Sequence, residues 1–186
     1  MIQLEKINFS NHKALPTVLG IYENSFPENE RRTISNILRQ IDYNNDYNFF
    51  VVLEDDFPVG MASVWVINQR FIYIEHLCVD QSRRSKGIGS KAMNLLMDKS
   101  PFPIIIEVEK RLDTMSPEQA NNCDRRLKFY NKHGFVLSGK DYIQPPYTPT
   151  LHEVPMNLME ANGTLLTTDF DGVKKDIYKT VYKINI

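Results

Sequence analysis

Residues Arg84-Ser85-Lys86-Gly87-Ile88-Gly89-Ser90 gather two cations and two hydroxyls around a pair of glycines. Gly87 and Gly89 lack a Cβ, so the backbone can turn sharply and several N–H groups can converge on one anion. The start of a helix adds the positive end of its dipole. Arg84 and Lys86 contribute charge and Ser90 a hydroxyl, an arrangement suited to gripping a pyrophosphate. A basic surface loop with a tight turn would have the same composition, so the neighbouring elements must decide. Glu75 and His76 could move protons. Strand alternation would put Tyr73, Glu75 and Leu77 on one face and Ile74, His76 and Cys78 on the other. A carboxylate among apolar neighbours is costly unless used or paired, so Glu75 reads as a general base or as a salt-bridged strand residue. His76 is the rival base, of opposite parity. The histidines have no metal-ligand spacing, and no Ser/His/Asp or Cys/His pattern emerges.

The elements that must hold these residues follow from hydrophobic period. Ile2 to Phe9 reads as a strand, followed by two helices on either side of Ser25-Phe26-Pro27. In the second, Ile34, Ile37, Leu38 and Ile41 form an amphipathic stripe. Tyr47 to Asp80 divides at Glu54-Asp55-Asp56 and near Asn68-Gln69-Arg70 into three strands, an antiparallel meander. Ile88, Ala92, Leu95 and Leu96 mark a helix ending before Pro101, and Phe102 to Val108 is a doubly covered strand. Ser116-Pro117-Glu118-Gln119 opens another helix that runs to Gly134, with a strand at Phe135-Val136-Leu137 beyond it. Gly139 to Thr150, with its three prolines, reads as a loop and Leu151 to Met159 as a strand. Ile177, Tyr178, Val181 and Tyr182 suggest a final short helix. The fold class is α/β, an α+β mixed sheet, mostly antiparallel, with helices on both faces.

With 186 residues, the chain is the size of a single domain, 1–186, with a core of about 1–160 and a helical extension of about 168–186. Its 22 basic and 23 acidic residues leave a net charge of −1, which argues against nucleic acid or an anionic membrane as partner. No apolar run approaches the roughly 20 residues of a membrane span, and the amino terminus lacks the order of a signal peptide, so the cytoplasm is the expected location. Cys78 and Cys123 read as free thiols. The final helix offers a surface for a homodimer.

A dinucleotide site is the first rival, because Gly87-Ile88-Gly89-Ser90-Lys91-Ala92 matches GxGxxA with Glu107 and Glu109 about 20 residues on, where a ribose ligand is expected. That reading implies a nucleotide-dependent oxidoreductase. Two features oppose it: the first glycine comes eight positions after Val79, and a meander precedes it instead of alternating βαβ units.

Three segments taken together resemble the GNAT superfamily of N-acetyltransferases. Arg84-Ser85-Lys86-Gly87-Ile88-Gly89 satisfies its Q/R-x-x-G-x-G/A loop. Tyr73 to Asp80 is similar to the strand before it, and Tyr130 to Phe135 looks like its later Y-x-x-x-G-F signature. The likeness covers about residues 1–138. Cys123 departs from it where many relatives carry asparagine. The resemblance implies a GNAT-like acyl-CoA N-acyltransferase fold and acetyl-CoA as co-substrate. The backbone of Leu77, Cys78 and Val79 would pair with the pantetheine arm, Arg84 to Ser90 would hold the pyrophosphate, and the next strand would splay away to open a cleft. An N–H near Leu77 would polarise the thioester carbonyl.

The implied activity is direct transfer of an acetyl group, in a ternary complex, to a primary amine of a small molecule or peptide. A non-catalytic acyl-CoA-binding module is the other alternative. Tyr130 would be the acid for the departing thiolate, or else a core tyrosine, and Glu75 the leading base. Glu107 and Glu109 could face the cleft and attract a cationic amine. Glu28 or Glu30 would help recognise the acceptor, with Tyr142, Gln144 and Tyr147 as the opposite wall.

Overall fold

A computed structural model describes residues 1–98 and 100–185. The first half is the expected meander with two helices inserted: β1 (Ile2–Ile7), α1 (Leu15–Ser25), α2 (Ile34–Tyr43), β2 (Tyr47–Glu54), β3 (Phe57–Ile67) and β4 (Phe71–Val79). Asp55 and Asp56, and again Asn68 and Gln69, have positive φ, the primed-turn geometry whose twist matches antiparallel neighbours. Thr33 caps α2 by accepting from the Asn36 N–H, and Ile37 and Ile41 of its stripe are buried.

The second half comprises α3 (Ile88–Asp98), β5 (Ile104–Glu109), α4 (Pro117–Lys132), β6 (Val136–Leu137), β7 (Tyr142–Gln144), β8 (Val154–Ala161), α5 (Leu165–Thr168) and α6 (Phe170–Ile177), then a π turn at Tyr178–Tyr182. Ser116 and Gln119 form the reciprocal capping box of α4, and Gly134 follows it with φ +81°. Two details differ from the sequence reading. The proline-rich segment contains β7, which pairs with β8 before the prolines begin. The tail is also more than an extension: Phe170, Val173, Ile177 and Val181 enter the largest buried cluster with α1, α2 and Trp65. The Glu160 carboxylate accepts from the Leu165 and Leu166 N–H groups, and Arg70 ties Asp169 and Asp176 to the β3–β4 turn.

The strands form one sheet in the order β1-β2-β3-β4-β5-β8-β6, with β7 on β8. Among the described residues only β4 and β5 pair in parallel. Helices α1, α2 and α6 cover one face, and α3 and α4 the other. Among the described residues no helix is long and apolar enough to cross a membrane. The feature that makes a site is the β4–β5 pair. It is registered only from Ile72 to Ile74 against Ile104 to Ile106, after which the strands part.

Candidate active site

The gap between β4 and β5 is the mouth of a cleft of about 460 Å³ that continues past the start of α3 to α4. Beyond Ile74 the β4 edge facing it has no strand partner among the described residues. The Asp80 N–H bonds to Val59 on β3. By antiparallel alternation the peptide groups of Cys78 also face β3, while those of Leu77 and Val79 face the gap. A ligand strand could therefore pair with Leu77 and Val79, whereas Cys78 offers a side chain whose thiol burial pushes up to about 12.

At the wide end of the cleft, Ser85 (φ +65°) and Gly87 (φ +79°) wind the chain left-handed into α3. The first α3 turn leaves the Ile88, Gly89 and Ser90 N–H groups without an acceptor among the described residues. A Cβ on Gly89 would stand 3.8 Å from the Phe129 ring and 3.9 Å from Val79, so the fold has room for it and the cleft would lose that space. Arg84, Ser85, Gly87 to Ser90 and Arg125 line this end, and Lys86 is exposed beside it. Arg84 is partly committed: it donates from Nε to the Val79 carbonyl at 3.1 Å and from Nη2 to Ser25 at 3.1 Å. These donors fit a pyrophosphate, and the adjoining free strand edge fits an amide-bearing arm.

Strict alternation fails in β4. Ser63 pairs with His76 and Val64 with Ile74, so Glu75 is the extra residue of a bulge. Leu77 consequently packs with Ile74, while Tyr73 and Cys78 join the opposite cluster. Glu75 and His76, expected on opposite faces, lie together with Nδ1 of His76 3.8 Å from Oε2 of Glu75.

The Glu75 side chain is fully buried and accepts from Arg32 Nε (2.7 Å), Tyr147 OH (3.0 Å) and Trp65 Nε1 (2.9 Å). Burial by itself would raise its pKa, but Arg32 and these donors hold it below the ordinary carboxylate range. His76 is driven down by burial against the pull of Glu75. Its Nε2 lies 3.1 Å from the Glu30 carbonyl and its Nδ1 3.1 Å from Ser63 Oγ. A neutral ring donating from Nε2 and accepting at Nδ1 satisfies both contacts.

The carboxylates with unmet charge lie elsewhere along the cleft. Burial pushes Glu107 up to about 7 against hydrogen bonds from Tyr142, Tyr182 and Tyr73. Burial and the adjacent Glu109 push Glu30 up to about 8. Glu109 in turn receives Arg126, and the Cys123 thiol sits 3.7 Å from it, outside the cleft lining. Tyr130 lines the cleft from α4, with burial raising its pKa, and its hydroxyl has no partner among the described hydrogen bonds. Gln144 and Tyr147 form part of the wall. Tyr142 instead holds Glu107 from behind, and Glu28 is exposed outside the lining.

Sequence reasoning missed Arg32 and Tyr182. Nothing in Arg31-Arg32 marks the second as buried, at 6% exposure, and Tyr182 lies far along the chain.

A model of the acetyltransferase (GNAT) family matches residues 15–135. A protein from Bacteroides thetaiotaomicron, described as a GNAT-family acetyltransferase, superposes with a TM-score of 0.87 at 27% identity, over 98% of this chain and 99% of that one. Arabidopsis thaliana NAA60, solved in complex with acetyl-CoA, shares the fold at 16% identity with a TM-score of 0.64, over 88% of this chain and 100% of its own. An uncharacterized N-acetyltransferase in the lysA 3' region of Bacillus methanolicus is 29% identical over 87 residues, 46% of this chain and 72% of that protein.

Proposed function

Since the chain belongs to the GNAT family of acetyltransferases, we propose that it transfers an acetyl group from acetyl-CoA directly to a primary amine of a small molecule or peptide, both substrates being bound at once. The observation that carries this reading is the continuity of one cleft. It runs from the unpaired N–H groups at the start of α3, along the free β4 edge, to the Tyr130 hydroxyl and Glu107. Acetyl-CoA brings the acetyl group as a thioester, together with a pyrophosphate suited to the α3 loop.

Leu77 and Val79 would give the donor's arm a strand edge to pair with, and the Leu77 N–H would polarise the thioester carbonyl. The acceptor arrives as an ammonium and must lose a proton before its lone pair can attack. We assign that proton to Glu107 in place of Glu75: at about 7 the Glu107 carboxyl can take a proton near neutrality, whereas Glu75 is held ionised by Arg32. As the nitrogen–carbon bond forms and the carbon–sulfur bond breaks, the electron pair leaves on sulfur. Tyr130 donates its hydroxyl proton there and recovers one from the nitrogen, which sheds its second proton to become an amide. Glu30 lines the same cleft with its pKa raised, and a cationic acceptor would draw it into its charged form.

The test follows thiol release from acetyl-CoA with a panel of monoamines, polyamines and peptides. Tyr130→Phe should lower kcat roughly 100-fold or more while acetyl-CoA affinity stays near the parent value. Parent-level turnover in that variant would remove Tyr130 from the mechanism, and acetyl-CoA binding without turnover on any amine would favour a binding module.

A further inference from the structure

The family match ends at residue 135, yet the floor of the cleft is held from the far end of the chain. The Tyr182 hydroxyl donates to Oε2 of Glu107 at 2.8 Å, while Tyr142 donates to Oε1. Tyr182 is itself fixed. Its ring packs on Tyr147 at 5.1 Å between centroids, and its hydroxyl lies 3.4 Å from that of Tyr73. One residue earlier, the Val181 carbonyl accepts from Arg32 Nη2 at 2.7 Å, and Arg32 holds Glu75 through Nε. A single π turn, ended by Lys183 in the left-handed conformation, thus reaches the supports of two carboxylates in the cleft. Such turns are rare and are frequently found at functional sites.

We propose that Tyr182 is a positioning residue for acetyl transfer: its hydroxyl holds the Glu107 carboxylate in the orientation in which it takes the acceptor's proton. This rests on the assignment of Glu107 as base. The groups facing Glu107 are Glu30 from the α1–α2 connection, whose like charge opposes its own, Tyr73 and Glu75 from β4, Tyr142 from β7, Tyr147 from the β7–β8 loop, and Tyr178 and Tyr182 from the π turn. Glu75 repels its charge and Tyr142, Tyr182 and Tyr73 stabilise it by donation. Arg32 is committed to Glu75. Removing the Tyr182 donor weakens the charged form alone, so Glu107 should keep its proton to higher pH.

The experiment uses the full chain and two readouts. Carbon-13 carboxylate NMR, assigned with Glu107→Gln, follows Glu107 itself, and the pH profile of kcat/KM follows the reaction. In Tyr182→Phe both the titration and the acid limb should move upward by roughly one unit. Replacement of Tyr182 by 3-fluorotyrosine keeps the shape and strengthens the donor, so both should move downward, which keeps the test open if the phenylalanine variant folds poorly. An unmoved Glu107 titration in a folded variant overturns the inference and leaves Glu107 as base. A titration that moves while the acid limb stays overturns the assignment of the base, and with it a role for Tyr182 in the reaction.

Discussion

Replacing Arg32 by methionine probes how the cleft keeps a charge buried. The parent guanidinium is 6% exposed, the Glu75 side chain is fully buried, and the two are 2.7 Å apart. Arg32 also donates to Asn36 and to the Val181 carbonyl and lies over the rings of Trp65 and Tyr147. Methionine keeps much of the stem and removes every charged donor, so Glu75 must stay ionised without its partner or take up a proton. Breaking a buried pair from one side costs about 3–5 kcal/mol, which for a chain of this size lowers Tm by roughly 6–20 °C.

The pH dependence supplies the sharper signature. In the parent, the Glu75 pKa is depressed on folding, so its contribution is present above the unfolded carboxylate value and lost as pH falls through the folded one. In Arg32→Met, burial without a cation raises the folded pKa, and stability is lost as pH rises through it. Calorimetry should therefore show the two proteins furthest apart at neutral pH and converging toward about pH 4. Arg32→Met/Glu75→Gln should recover most of the loss, because neither charge remains. A single variant within about 1 kcal/mol of the parent, with the parent's pH dependence and no recovery in the double variant, would refute the account.

Gly89→Ala should leave Tm near the parent, since a Cβ there meets only ordinary contacts with Phe129 and Val79, and should raise the acetyl-CoA Kd measured by calorimetric titration by an order of magnitude or more, about 1.4 kcal/mol. An unchanged Kd would place the pyrophosphate elsewhere. Gly60→Ala should do the reverse: its Cβ would lie 2.2 Å from the Cys78 carbonyl oxygen, so β3 and β4 must move apart. Urea denaturation should show a loss of about 1–3 kcal/mol, and a neutral result would contradict the close approach of those strands.

The loop proposed to hold the pyrophosphate could be read because its chemistry is local: glycines, cations and a helix start lie within seven residues, and all of them but Lys86 line the cleft. The two type I′ corners and the capping box of α4 were legible for the same reason. Glu75 was not. Its orientation depends on a bulge set by how β4 pairs with Ser63 and Val64 of β3, and its ionisation on an arginine 43 positions away. The tail's apolar spacing could be read, but not the surface it would meet, so Tyr182 gave no sign of reaching Glu107. β7 was hidden by its setting, a short strand next to a proline-rich stretch that carries the usual signals of a loop.

The parting of β4 from β5 carries a mechanical consequence. Among the described residues of the sheet only three pairs, Ile72 to Ile74 with Ile104 to Ile106, stitch the β1–β4 half to the β5–β8 half. Beyond them the seam stands open, and the rungs missing from it are those a donor lying along β4 would supply. A donor bound there, as proposed, would act as a removable ninth strand, so each turnover would begin by closing the seam and end by unpicking it.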